Sequence, residues 1–150
     1  MKITAQTYNS GTQTWSSVEY DAWRDFGLTL SDGLDSLRAP LEMKEPVTNQ
    51  SRLEHGTRVA YGSPKVMQRS HTLSVTIIGV GNDRHTSFET RKNAFLTMLY
   101  GSHRLVFDFG GGETYTLTYS GKGCSYSGKT GTFCAMTLKF DEYQPNPHLS

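Results

Sequence analysis

The stretch that most narrows what this chain can fold into is residues 71–109, where the spacing of apolar side chains switches from the period of a strand to that of a helix and back. In His71-Thr72-Leu73-Ser74-Val75-Thr76-Ile77-Ile78, the residues Leu73, Val75 and Ile77 fall on one face and mostly Thr and Ser on the other, the alternation of a half-buried strand. After the polar loop Gly81-Asn82-Asp83-Arg84-His85, Thr86 and Glu89 stand at capping-box spacing, which predicts a helix start at Thr86. Phe88, Phe95, Met98 and Leu99 then form one apolar stripe, Glu89, Arg91 and Lys92 fall outside it, and Gly101 can supply a left-handed turn after Tyr100, so the helix spans about residues 87–100. Leu105, Phe107 and Phe109 alternate with Arg104, Val106 and Asp108, so a strand follows whose apolar face is a floor for the stripe. Each stripe residue contributes about 1.5–3 kcal/mol on burial.

The rest of the chain reads as short strands and turns. Residues 2–8 suit a short edge strand, Asn9-Ser10-Gly11-Thr12 a turn, and residues 15–20 a second, polar strand. Residues 23–30 read as a strand because Phe26, Leu28 and Leu30 share a face, and Ser31-Asp32-Gly33 ends it. Pro40, Pro46 and Pro64 with Asn49, Gly56 and Gly62 then leave at most a strand over residues 37–44 and a loop over residues 45–64. A loop of that length is a place for contacts, and Glu45, Val47, Asn49, Leu53, Val59 and Tyr61 are its candidate self-association or partner residues. Gly110-Gly111-Gly112 turns the chain into a strand with Tyr115, Leu117 and Tyr119 on one face. Residues 121–131 form a glycine-rich hairpin tip, and residues 133–140 return with Cys134, Met136, Leu138 and Phe140 on one face. If Cys124 faces Cys134 while Leu117 and Tyr119 share the buried face of Met136 and Leu138, the register needs one extra residue, and a β-bulge at Gly121-Lys122-Gly123 supplies it.

These elements make a mainly β chain with one α-helix, in a single domain of residues 1–143. Its expected structural core is Leu73, Val75, Ile77, Phe88, Phe95, Met98, Leu99, Leu105, Phe107, Leu117 and Leu138. Two prolines in Gln144-Pro145-Asn146-Pro147 stop the last strand, so residues 144–150 are expected to leave the domain as a tail. At 150 residues the chain can bury about 68–70% of its unfolded surface without staples.

Composition and motifs exclude more than they assign. Fifteen Lys and Arg against 14 Asp and Glu leave a net charge of +1, which offers no field for nucleic acid or an anionic membrane. No apolar leader or membrane-length run is present, so synthesis in a cytoplasm is expected, and Asn49-Gln50-Ser51 is then a chance sequon. Gly123 to Thr130 matches the phosphate-loop pattern in full, yet that motif needs a helix starting at its Lys-Thr, and here Gly131 and the β-like Thr132-Phe133-Cys134 follow. A nucleotide is therefore not expected. His55, His71, His85, His103 and His148 lack ligand spacing, and the two cysteines are expected as packing thiols, so no metal or other cofactor is implied. No nucleophile elbow or activated cysteine appears, and Asp32, Asp35, Glu42 and Glu45 read as surface carboxylates, so no catalytic residues are assigned.

Leu37, Pro40-Leu41, Lys44, Pro46, Asn49 and Gly56, followed by Arg69, Thr72-Leu73, Phe88, Phe95, Leu99, Gly101, Tyr115 and Tyr119, form a pattern that resembles the N-terminal, ring-forming domain of phage distal tail proteins and their prophage relatives. It spans roughly residues 37–119. The resemblance implies a β-sandwich or split barrel with a single packed helix and a non-enzymatic structural role. It also implies self-association into hexameric rings between the tail tube and the tail-tip hub, in contact with other phage tail proteins. The protein would be cytoplasmic during assembly and then part of the virion tail. The alternative from the residues themselves is a small β-sandwich ligand-binding module for carbohydrate, with Tyr and Trp side chains as stacking platforms.

Overall fold

The computed structural model describes residues 1–44, 47–50, 57–60 and 66–145, with backbone alone for residues 47–50, 57–60, 129 and 130. In chain order the elements are β1 (Lys2–Asn9), β2 (Thr14–Asp21), α1 (Ala22–Phe26), β3 (Leu28–Asp32), α2 (Leu34–Arg38), β4 (Val47–Gln50) and β5 (Thr57–Ala60). There follow β6 (Arg69–Ile78), α3 (Arg84–Gly101), β7 (Arg104–Gly110), β8 (Glu113–Tyr119), β9 (Ser125–Thr130) and β10 (Phe133–Glu142). Eight strands form one antiparallel sheet in the order β2-β1-β7-β8-β10-β6-β3, with β9 also paired to β10, and β4 and β5 form a separate ribbon. The sheet is open, ending in β2 and β3.

One core packs on a single face of the sheet. All the residues expected there from alternation and from the helical stripe are buried in a single cluster, together with Ile3, Phe26, Leu37, Tyr115, Met136 and Phe140. Only Phe140↔Tyr119 and Asp141↔Thr118 join β10 to β8. Phe107 of β7 nevertheless meets Phe140 of β10 edge to face, with centroids 5.6 Å apart and planes at 79°. The two halves of the sheet thus face one interior.

Helix α3 starts earlier than the capping box suggests. Asp83 is the N-cap: its carboxylate accepts the Thr86 amide at 3.1 Å and the Thr86 hydroxyl at 2.8 Å. Asp out-competes Thr as the cap because an ionised carboxylate is the stronger acceptor at a helix N-terminus. At the other end Gly101 remains helical, and the Ser102 hydroxyl donates to the Met98 carbonyl at 2.6 Å, satisfying an end carbonyl in place of the expected left-handed glycine. The stripe lies along β6, α1 and β1, with Phe95 against Phe26 at 5.6 Å, so these elements form its principal floor in place of the expected β7 face.

Several local expectations give way to hydrogen bonds that alternation does not encode. Residues 23–30 divide in two: Asp21 accepts the Trp23 and Arg24 amides at 3.1 Å each, capping α1, and Gly27 closes it with φ 61°. The expected strand over residues 37–44 is instead α2 followed by extended chain, with Leu37 buried. Among the described residues, two single-turn helices therefore accompany the one long helix. Strand β1 is internal rather than an edge, since it pairs with both β2 and β7. Residues 45–64, expected as loop, contain the paired strands β4 and β5.

The hairpin tip is also rearranged, because β9 occupies half of it. Continuing the Phe140↔Tyr119 register would set Lys122 opposite Thr137, but Ser125 stands there, so the Gly121-Lys122-Gly123 loop resets the register by three residues. The irregularity within the β9–β10 ladder lies between Phe133 and Ala135, and Gly128 packs at Cys134 where Cys124 was expected. Cys124 is exposed and Cys134 buried, both as free thiols. Strand β9 has no apolar face, so its pairing to β10 alone defines it. Beyond β10, Pro145 is still buried, and residues 146–150 lie outside the described residues.

Phe95→Ala should cost about 3–5 kcal/mol in denaturant unfolding, since its ring is 1% exposed and its removal leaves a void against Phe26. Two glycines at helix ends should respond in opposite directions. Gly101→Ala, with open space at its Cβ, should stabilise by about 0.5–1 kcal/mol. Gly27→Ala should destabilise, because its φ is positive and a Cβ would lie 2.5 Å from the Ile78 carbonyl oxygen.

Candidate assembly surface

The candidate contact residues fall on the β4–β5 ribbon and around it. Val47 pairs with Ala60, Thr48 with Val59 and Asn49 with Arg58, which sets Val47, Asn49 and Val59 within one short ladder; Glu45, Leu53 and Tyr61 lie outside the described residues. The ribbon joins neither edge of the main sheet. A two-stranded ribbon is marginal in water by itself, so it needs support at its base or from a partner. Its base is closed by the bridge Met43↔Val66 and by the Met67 amide donating to the Glu42 carbonyl at 2.8 Å. Met43 and Met67 are exposed there, beside a cavity of about 370 Å³ lined by Leu37, Pro40, Leu41 and Tyr115 among others.

A buried ionic cluster fastens that base to the core. Glu142 and His71 are 1% and 2% exposed. Oε1 of Glu142 accepts from Arg69 Nε and from His71 Nε2, the latter at 2.9 Å. In the neutral ring with Nε2 donating, His71 Nδ1 accepts from the Ser36 hydroxyl at 2.7 Å. The Arg69 guanidinium also donates to the carbonyls of Leu37 at 2.6 Å and Ala39 at 2.9 Å, capping the end of α2. Beside it Arg38 grips Glu113 with two bonds of 2.7 and 2.8 Å, and Tyr115 donates to the same carboxylate at 2.8 Å. Burial, reinforced by Glu113, pushes the Tyr115 hydroxyl up to about 12.

Ser36, His71 and Glu142 stand in a row that copies the order of a nucleophile, base and orienting acid. The carboxylate is also held by Arg69, whose guanidinium ties the row to the end of α2. Alternation missed this cluster, although the signal was present. His71 occupies the same face as Leu73, Val75 and Ile77, and Glu142 the same face as Leu138 and Phe140; two ionisable residues in core columns of neighbouring strands imply a buried pair.

Both end strands of the main row carry grooves. Beside β2, Val18, Tyr20, Ala94, Met98 and Phe26 line a groove of about 540 Å³ between the strand and α3. Beside β3, Met1, Trp23, Leu28, Leu30, Leu34 and Phe109 line one of about 530 Å³. Val18 and Trp23 are 53% and 55% exposed, apolar surface that an added strand or neighbouring chain would cover.

The remaining motifs take ordinary places. Gly123 to Thr130 enters strand β9, so no helix N-terminus stands at Lys129-Thr130 to receive phosphate. Among the described residues no group of three or more His, Cys, Asp or Glu is placed to hold a metal ion, and no helix is long and apolar enough to cross a membrane. His85 Nδ1 lies 2.9 Å from the Gly131 carbonyl, and His103 Nδ1 accepts the Tyr8 amide at 2.7 Å.

No protein-family profile matches the chain, and no curated protein matches it in sequence. Solved structures do. The SPP1 Dit protein, described as a paradigm of the hub adsorption apparatus in phages infecting Gram-positive bacteria, aligns over 95% of this chain and 50% of its own at 16% identity, with a TM-score of 0.48. A chain of the phage P2 baseplate in its activated, Ca-bound conformation aligns over 94% of this chain and 43% of its own at 11% identity, with a TM-score of 0.54. The chain thus spans half or less of the length of these structures, and the phage P2 likeness shows a shared fold.

Burial by itself would push the Glu142 carboxyl up, but the hydrogen bonds from His71 and Arg69 and the Arg69 charge outweigh it and hold the carboxyl below its ordinary value. A folded-state value below the unfolded one stabilises the fold above the ordinary glutamate range and withdraws that stability as pH falls through the folded value. Denaturation midpoints should therefore fall as pH drops below 4.5. Glu142→Gln, which leaves Arg69 unpaired, should cost about 3–5 kcal/mol at neutral pH. Its acid limb should be shallower but not flat, because Asp21, Asp25 and Asp83 are also held low. An unchanged midpoint in that variant would show the cluster to be dispensable.

Proposed function

We propose that this chain is a non-enzymatic structural protein of a phage or prophage tail that associates head to tail into a ring at the junction of tail tube and tail tip. The carrying observation is an open sheet whose main strand row ends in two unlike strands, β2 and β3, each with an apolar groove beside it, while the further edge at β9 has no such groove among the described cavities. Two unlike edges cannot pair by a two-fold axis through one patch; joining β2 of one copy to β3 of the next is a heterologous contact, which closes into a ring when the rotation permits. The fold shared with a phage P2 baseplate chain, and the sequence resemblance to ring-forming distal tail domains, support the tail setting and a six-fold ring.

In this reading the β4–β5 ribbon is an arm that lies on the neighbouring copy or on the next tail protein. Glu45, Val47, Asn49, Leu53, Val59 and Tyr61 are the proposed contact residues, and the Arg69–Glu142 cluster keeps the arm's base rigid. Assembly takes place in the cytoplasm of the host cell, and the ring then travels in the virion tail.

Light scattering with negative-stain imaging tests the proposal: rings near six-fold are expected at high protein concentration or on a tail-tube template. Replacing residues 45–64 with a short Gly-Ser linker should leave the melting temperature nearly unchanged and abolish the rings. Rings that persist without those residues would remove the arm from the interface. A protein that stays monomeric with tube and hub proteins present would overturn the assembly role.

A further inference from the structure

The face of the sheet opposite the core carries a trough, one wall of which stands on the end strand β2. Trp15 from β2, Arg104 from β7, Thr116 and Thr118 from β8, and Tyr143 and Gln144 just past β10 enclose about 350 Å³, with His103 at the β7 end. That volume is near the lower limit for small-ligand pockets and suits a single sugar-sized group. Trp15 and Tyr143, from opposite ends of the strand row β2-β1-β7-β8-β10, remain 43% and 55% exposed.

The polar groups of the trough are positioned but unspent. The Arg104 guanidinium lies 3.6 Å over the Trp15 ring, and its Nε donates to Gln6 Oε1, yet no carboxylate pairs with it among the described residues. His103 Nδ1 accepts the Tyr8 amide, which leaves the neutral ring's proton on Nε2 as a free donor. Tyr8 and His103 pack against the indole at 5.1 and 6.4 Å and hold it upright. The side chains of Thr116, Thr118 and Gln144 make no hydrogen bond to described residues. On this face Asp141 accepts from the Ser70 and Tyr143 hydroxyls at 2.8 and 3.5 Å.

A guanidinium held flat on an indole with no acid partner calls for anionic oxygen, which it meets with two parallel N–H donors. Exposed aromatic rings beside hydroxyls call for a ligand with one apolar face and a polar rim. We propose that this trough binds a phosphorylated hexose, its phosphate on Arg104 and His103, its C–H face on an exposed ring, and its hydroxyls on Thr116, Thr118 and Gln144. The phosphate is either the monoester of a free sugar or the diester of a polymer repeat. A single copy of the chain carries the whole trough, so binding is independent of ring assembly.

With Trp23→Phe as background, Trp15 is the single indole and its fluorescence reports on the trough. Titration with glucose 1-phosphate should give a saturable change, with calorimetry as the second readout. Arg104→Gln and Thr116→Val should each weaken binding, the former by about tenfold or more, at an unchanged melting temperature. Arg104→Lys should recover part of the loss. Tighter binding of glucose 1-phosphate than of its methyl diester assigns the free sugar, and the reverse assigns the polymer repeat. Absence of saturable binding to either ester overturns the proposal. So does inorganic phosphate binding as tightly as the sugar phosphates, or full affinity in both Arg104→Gln and Thr116→Val.

Discussion

Strand β10 is hydrogen-bonded along both edges, and the rest of the fold depends on that. One edge pairs with β6 without interruption from Phe133↔Ile78 to Glu142↔Arg69. The other is shared, first by β9 and then, over two residue pairs, by β8. Among the described residues, that short junction is the only strand pairing between the β2-β1-β7-β8 half and the β6-β3 half. A two-pair ladder leaves the halves free to bend towards each other, and the apolar column Cys134, Met136, Leu138 and Phe140 supplies the surface on which they close. The hydrophobic gain of a shared interior is what makes so thin a hydrogen-bonded link sufficient.

The same column ends in a charge. Glu142 follows Phe140 on the buried face, where an isolated carboxylate would be costly, and it is accommodated because Arg69 and His71 on the neighbouring strand meet it. Arg69 in turn holds the last carbonyls of α2, the helix from which the chain departs towards β4 and β5. Core and α2 are therefore joined through one cluster: the arginine that satisfies a buried acid also caps the helix that precedes the ribbon. Uses of the surface are divided in a way that follows from sheet geometry. The inner face is filled by the core, the end strands β2 and β3 carry unpaired backbone groups, and the opposite face over β2, β7 and β8 is left to polar side chains and the Trp15–Arg104 stack.

Much of the core was legible because burial leaves a periodic imprint. Leu73, Val75 and Ile77 alternate, Phe88, Phe95, Met98 and Leu99 recur along a helix, and Leu105, Phe107, Leu117 and Leu138 alternate again, and all are buried. Elements without an apolar face left no such imprint. Strand β9 is Ser-Tyr-Ser-Gly-Lys-Thr and the β4–β5 ribbon only two four-residue segments, too polar or too short for an alternating apolar face, and they are strands because a partner strand is there to pair with. Helix α1 was hidden for the opposite reason: Phe26 and Leu28 fit a strand's spacing, while the Asp21 side chain captured two amides and turned the backbone before it.

The candidate surfaces divide along the same line. The sequence by itself determined the apolar faces, the strand-helix-strand unit and the absence of a helix after the phosphate-loop match. These follow from local spacing, backbone preference and the transfer of apolar groups out of water. Only the tertiary structure decided that β2 and β3 end the main strand row, that Gly128 rather than Cys124 packs at Cys134, and that His71 and Glu142 share Arg69. It alone brought Trp15, Arg104 and Tyr143 to one trough. Each of those outcomes joins residues far apart in the chain, and their pairing is set by which strands lie side by side, a property that no local window of sequence contains.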